Sequence, residues 1–131
     1  YRHASVARMK ASLDDKGRVT AWLHTFTEKH DPPEALTVNY DFANRASRYV
    51  NGTNPIPWGA WRSVDHTQQG FFIECFMDEL AHAAGQDPFA FRRAHLAGAP
   101  RHKAVLDAAA EMAGWGTPAP EGRAWRDLWS G

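Results

Sequence analysis

The run from Gly59 to Leu96 constrains this chain more than any other stretch. From about Thr67 to Ala84 the apolar residues Phe72, Phe76, Leu80 and Ala84 recur at four-residue steps, with Ile73, Met77 and Ala83 beside them. Glu74, Asp78 and His82 fall opposite. That period is helical, and it predicts one helix with a face broad enough to seat a core. Thr67 or His66 can open it, and Gly85 supplies the left-handed residue that closes it. Asp87-Pro88 restarts the chain at once, because Asp caps and Pro is tolerated in a first helical turn. The segment ahead of the helix, Trp58-Gly59-Ala60-Trp61-Arg62-Ser63, has no strand or helix period and reads as a loop delivered onto the helix.

The rest of the chain supplies what that helix packs against. Ser5 to Leu13 alternates imperfectly, and Asp14-Asp15-Lys16-Gly17 is a turn signal. Val19 to Phe26 is rich in β-formers, so the two segments read as a hairpin. Asp31-Pro32-Pro33 breaks the chain, and Leu36 to Tyr40 reads as a third short strand. Asp41 to Trp58, with Asn51-Gly52 and Pro55-Ile56-Pro57, reads as loop. After the Gly98-Ala99-Pro100 link, Val105, Leu106, Ala109 and Met112 mark a third helix over 101–113, ended by Gly114. The expected architecture is α+β: hairpin and short strand over 1–40, loop over 41–65, three helices over 66–114, and an irregular tail over 115–131. At 131 residues this is one domain, or part of one.

Lys plus Arg and Asp plus Glu are both 15, so the formal net charge is zero. That balance argues against a nucleic-acid partner and gives no support to a polybasic membrane anchor. No apolar run is long enough to span a bilayer. The single Cys75 excludes an internal disulfide and reads as a small buried hydrophobe beside the helix's apolar face. The seven His form no H-x-x-x-H or Cys/His pattern, so no protein-ligated metal site is expected. No Gly-rich phosphate loop and no nucleophile elbow is present, and Asn51-Gly52-Thr53 is a sequon by chance. Glu79 is placed by the helical period between Phe72, Phe76 and Ala83, where a desolvated carboxylate is either paired by a neighbouring loop or serves as an acid or base. Arg62, between tryptophans, is either a surface side chain stacked on an indole or an anion ligand.

Trp61-Arg62-Ser63-Val64, followed by Asp78-Glu79-Leu80-Ala81-His82-Ala83-Ala84-Gly85-Gln86-Asp87-Pro88-Phe89-Ala90-Phe91-Arg92, resembles the molybdopterin-binding large subunit of the molybdenum hydroxylases. The match is closest to the isoquinoline 1-oxidoreductase-type or membrane-associated aldehyde dehydrogenase branch of the xanthine dehydrogenase and aldehyde oxidase family. The Leu13-Asp14-Asp15-Lys16-Gly17-Arg18-Val19 hairpin and the Gly114-Trp115-Gly116 segment are similar to that family too, whereas Trp125 to Gly131 departs from it. The resemblance implies a fragment of a subunit whose intact enzyme hydroxylates aldehydes or N-heterocycles with water as the oxygen source. It implies a molybdenum–molybdopterin cofactor there, with none bound to the fragment alone, and an iron–sulfur electron-transfer subunit as partner. It carries a cofactor-edge role to Trp61, Arg62 and Ser63; the xanthine dehydrogenase branch has Phe-Arg-Gly at these positions. It assigns no catalytic residue to this chain, because the family's catalytic glutamate lies later in the subunit and Glu79 does not correspond to it. The isolated chain is therefore expected to be inactive. The competing reading is a small stand-alone α+β interaction module, with six tryptophans available for partner contacts.

Overall fold

A computed structural model describes residues 4–27, 38–52, 55, 57–59, 61–64 and 66–118. β1 (Val6–Leu13) and β2 (Val19–Thr27) form the hairpin. Asp14 is what makes its turn. Its carboxylate accepts from the Lys16 and Arg18 amides, each at 2.9 Å, while Arg18 Nε closes on the other oxygen at 2.9 Å. Those bonds, the Arg18 backbone amide first, hold the Asp14 carboxyl below its ordinary range. Gly17 adopts φ 71°, and a Cβ there would stand 2.5 Å from Gln86 Nε2. The turn therefore lies against the corner that follows the first helix, where Gln86 Nε2 also donates to Lys16 O.

The third strand is not where the sequence period placed it. β3 is Asn44–Tyr49, inside the span read as loop, and it pairs parallel to β2 from Ala21↔Asn44 to Phe26↔Tyr49. Val38 to Tyr40 is no strand, and Leu36 lies outside the described residues. A parallel neighbour needs a crossover of a dozen or more residues, and 28–43 supplies that length. The sheet order is β1-β2-β3. Its inner face carries Met9, Ala11 and Leu13 opposite the buried Trp22, His24 and Phe26.

α1 (His66–Ala83), α2 (Pro88–Ala94) and α3 (Pro100–Ala113) follow. Gly85 at φ 64° and Gly114 at φ 63° close α1 and α3 as expected. Asp87 Oδ1 caps α2 by accepting from the Ala90 amide at 2.8 Å. The buried face of α1 is rotated from the Phe72–Phe76 stripe: Gln69, Ile73, Met77, Leu80 and Ala81 are inside, with Phe72 and Phe76 at its edge. The rotation follows from what it meets. Trp22 of β2 reaches Phe76 edge-on at 5.2 Å and stacks on Phe42 at 4.9 Å, while Phe91 and Leu96 join the same core cluster as Met77. Cys75 is consequently exposed, not buried, because it lies across the helix from Ile73 and Met77. α3 has no buried residue: Val105 and Met112 point outward, and Leu106 alone of its predicted apolar set packs on the core.

His95 ties the layers together. Val19 N–H donates to His95 Nε2 at 3.1 Å, so the proton resides on Nδ1, which donates to Phe91 O at 2.8 Å. The imidazole thus links the first residue of β2 to α2.

Candidate functional site

Two features stand out near the start of α1: a largely apolar cavity with a polar cluster at its side, and a strained loop before it. The cavity, about 420 Å³, lies between residues 38–40, α1 and α3. Its polar lining includes Tyr40, His66, Gln69, Glu74, Arg92 and His102. Tyr40 Oη donates to Glu74, with 3.1 and 3.0 Å to the two carboxylate oxygens. Arg92 Nε donates to Glu74 Oε2 at 2.8 Å, Nη1 to Asp78 Oδ1 at 2.6 Å, and Nη2 to the Glu74 carbonyl at 2.8 Å. Burial, and then the negative charge of Glu74, pushes the Tyr40 phenol far above its ordinary value. Burial alone would lower Arg92, but the bonds it donates to Asp78 and Glu74 outweigh it and the guanidinium is raised. The phenol therefore stays protonated at neutral pH, the guanidinium stays charged, and Glu74 accepts from both. In this cluster neither Tyr40 nor Arg92 gives up its proton near neutrality. The cluster braces α2 against α1. Sequence reading set Glu74 on the solvent face and did not connect it to Tyr40 or Arg92, residues 34 and 18 positions away.

Glu79, the carboxylate singled out by the helical period, is exposed. With the buried face rotated toward Met77 it meets water, so neither desolvation nor an acid–base role is built around it. Among the described residues no group of three His, Cys, Asp or Glu side chains could hold a metal ion.

The loop before α1 holds all three residues assigned to the cofactor edge. Trp61, Arg62 and Ser63 are consecutive and exposed, and Trp61 keeps 63% of its surface open. Val64 N donates to Trp61 O at 2.9 Å and His66 N to Ser63 O at 2.8 Å, while Thr67 Oγ1 reaches Arg62 O at 3.3 Å. Ser63 at φ 72° and Val64 at φ 44° are the two non-glycine residues in the left-handed region among those described. For a β-branched valine that conformation is costly, on the order of 1–3 kcal/mol, and such costs collect where a backbone must face a ligand. A glycine would adopt the Ser63 conformation without cost. Among the described residues the Arg62 and Ser63 amides find no acceptor. Exposed backbone donors, an exposed cation and open space beside Gly59 fit a phosphate-bearing, hydrogen-bonding cofactor such as a pterin.

Comparison with known proteins gives the family of the chain. The family model described as "Molybdopterin cofactor-binding domain" matches residues 1–96, the hairpin, the loop, α1 and α2 included. One component of the nicotinate dehydrogenase of Pseudomonas putida is 39% identical over 67 residues, which is 50% of this chain and 6% of that protein. The crystal structure of the aldehyde oxidoreductase from Desulfovibrio desulfuricans aligns with a TM-score of 0.58 and 27% identity, covering 72% of this chain and 12% of that one. The Desulfovibrio gigas aldehyde oxidoreductase aligns at 0.56 and 25%, over 70% and 12%.

Proposed function

This chain belongs to the molybdopterin cofactor-binding domain family, and from that premise we propose that it forms one edge of the cofactor site in a larger molybdenum-dependent oxidoreductase subunit. The reading assigns the edge to Trp61, Arg62 and Ser63. What carries it is the pair of left-handed residues, Ser63 and Val64, set directly before the first turn of α1. A loop anchored at one end by a core helix can hold backbone donors at fixed positions. Arg62 adds a positive charge for the phosphate side of the pterin.

When bound, the cofactor supplies the redox metal at which a carbon is hydroxylated, with water as the source of oxygen. The substrate class proposed is aldehydes or N-heterocycles, the W-R-S-V loop favouring the isoquinoline 1-oxidoreductase-type branch, with electrons passing on to an iron–sulfur subunit. The residues of this chain bind and orient; none is assigned a proton-transfer step. Assayed alone with aldehydes and N-heterocycles and an artificial electron acceptor, the chain is expected to be inactive, and turnover comparable to an intact hydroxylase would contradict the reading.

The direct test is Arg62→Ala in the full-length subunit. Molybdenum and pterin content or turnover should fall while thermal stability stays nearly unchanged, because Arg62 is exposed. Unfolding of the cofactor-free and cofactor-loaded forms to the same extent would make Arg62 structural and remove it from the site.

A further inference from the structure

The sheet has a second face, and it is charged in one sense. Arg8, Lys10 and Ser12 of β1, Leu23 of β2, and Asn44, Ala46 and Arg48 of β3 are exposed on the side away from the core. The register sets Arg8, Thr25 and Arg48 in one row, Lys10, Leu23 and Ala46 in the next, and Ser12, Ala21 and Asn44 in the third. None of the three strands contains an Asp or Glu, although the whole chain has as many acidic as basic residues. Among the described residues Arg8, Lys10 and Arg48 form no ion pair. The centre of the face is a depression of about 410 Å³ over Ser12, Ala21, Leu23 and Ala46.

We propose that this outer face is the seat of an acidic amphipathic helix, contributed by a part of the full-length subunit outside these 131 residues. The proposal rests on reading the chain as part of a longer subunit, and it is independent of the cofactor edge. Three arguments fix the occupant. Small side chains floor the depression and Leu23 stands open in it at 41% exposure, which suits apolar packing by a polypeptide better than phosphate contacts alone. Arg8 and Arg48 lie two strands apart, roughly 10 Å, which is about the width of one helix with its side chains. A helix laid along β2 then has Arg8 and Lys10 on one flank and Arg48 on the other. Finally, a segment that covered these cations without carboxylates of its own would leave buried charge unpaired, and that is strongly unfavourable. The occupant must be acidic on both flanks.

The experiment is a lysine footprint with zero-length cross-linking on the full-length subunit. Lys16, exposed on the turn of the same hairpin, is the internal reference. Lys10 should acetylate at least about tenfold more slowly than Lys16, as a covered surface group does. A water-soluble carbodiimide should join it to an Asp or Glu outside residues 1–131. Arg48→Glu should bring the Lys10 rate up to that of Lys16 and abolish the cross-link, with molybdenum and pterin content unchanged. If that variant does not fold, loss of the wild-type cross-link at high salt reads the same contact. Equal acetylation of Lys10 and Lys16 with no cross-link overturns the proposal. So does a cross-link to a second copy of residues 1–131, or protection of Lys10 that needs an added oligonucleotide or anionic vesicle. Loss of cofactor in Arg62→Ala, or its retention, bears on the cofactor edge and leaves this result untouched.

Discussion

His24 is a polar side chain with no accessible surface, stacked on Phe26 at 4.9 Å, and among the described residues neither ring nitrogen has a hydrogen-bond partner. Burial pushes its imidazole below the ordinary value. The sign of the consequence follows from proton counting. Above about pH 6.5 neither the folded nor the unfolded chain protonates this ring, and it adds no pH dependence. Below that value the unfolded chain takes up a proton that the folded chain refuses, so stability falls as the pH drops. Denaturant melts between pH 7.5 and 5 should therefore show a steeper acid loss for the parent than for His24→Leu, by up to about 1.4 kcal/mol per pH unit. Parallel pH profiles would mean the ring is protonated inside the fold. At this scale the sequence was legible where a residue's role is local: Asp14, Gly17, Gly85 and Asp87 all do what their chemistry announces. It was not legible where the role depends on what lies across the core. The Tyr40–Glu74–Arg92 brace spans three segments, and the exposure of Cys75 and Glu79 turns on a rotation of α1 that a four-residue stripe does not define. The left-handed conformation of Ser63 and Val64 likewise has no signal in the residues themselves, since serine and valine rarely adopt it.

Elements followed the same division. The hairpin and all three helices were readable because turn residues and caps bracket them. β3 was not, because Asn44-Arg45-Ala46-Ser47-Arg48-Tyr49 has no alternation of apolar and polar residues. It is exposed almost throughout and is a strand by virtue of its pairing with β2, a long-range cause. α1 carries the testable case. Met77 is fully buried and touches the cluster that includes Phe91, whereas Phe71, on the same helix, keeps 65% of its surface exposed. Met77→Ala should cost about 2–5 kcal/mol in a denaturant melt, the range for a cavity in a packed core. Phe71→Ala should stay within about 0.5 kcal/mol, as for a surface site. The reverse order would mean that α1 buries a face other than the one carrying Ile73, Met77 and Leu80. Arg92 gives that face its orientation, fixing Glu74 and Asp78 on one side of α1 against α2.

Across the whole molecule, burial is uneven, and the unevenness predicts how the chain opens. β2 contributes Val19, Trp22, His24 and Phe26 to the interior, and α1 contributes five residues. α3 contributes none: it is held by Leu106 against the core, by Arg93 Nε on Asp107 at 2.8 Å, and by Trp115 Nε1 on Asp87 at 3.0 Å. Asp107 is fully ionised there, its carboxyl lowered by hydrogen bonds from Lys103 first and Arg93 next. Ion pairs at such accessible positions contribute little. A 14-residue helix fastened in this way lacks the apolar seat that sustains a helix in water. α3 should consequently open without unfolding the hairpin–α1 core. In the 131-residue chain, hydrogen exchange at neutral pH should be on the order of 100-fold faster for the interior amides of α3 than for those of α1 and β2. The aligned aldehyde oxidoreductases are several times longer than this chain, since most of it covers only 12% of each, so a full-length subunit has ample polypeptide to cover Val105 and Met112. There the two rates should converge. Uniform protection across α1 and α3 in the short chain would mean that α3 is part of the cooperative core despite its open face, and that the contacts through Leu106, Asp107 and Trp115 hold it as firmly as burial would.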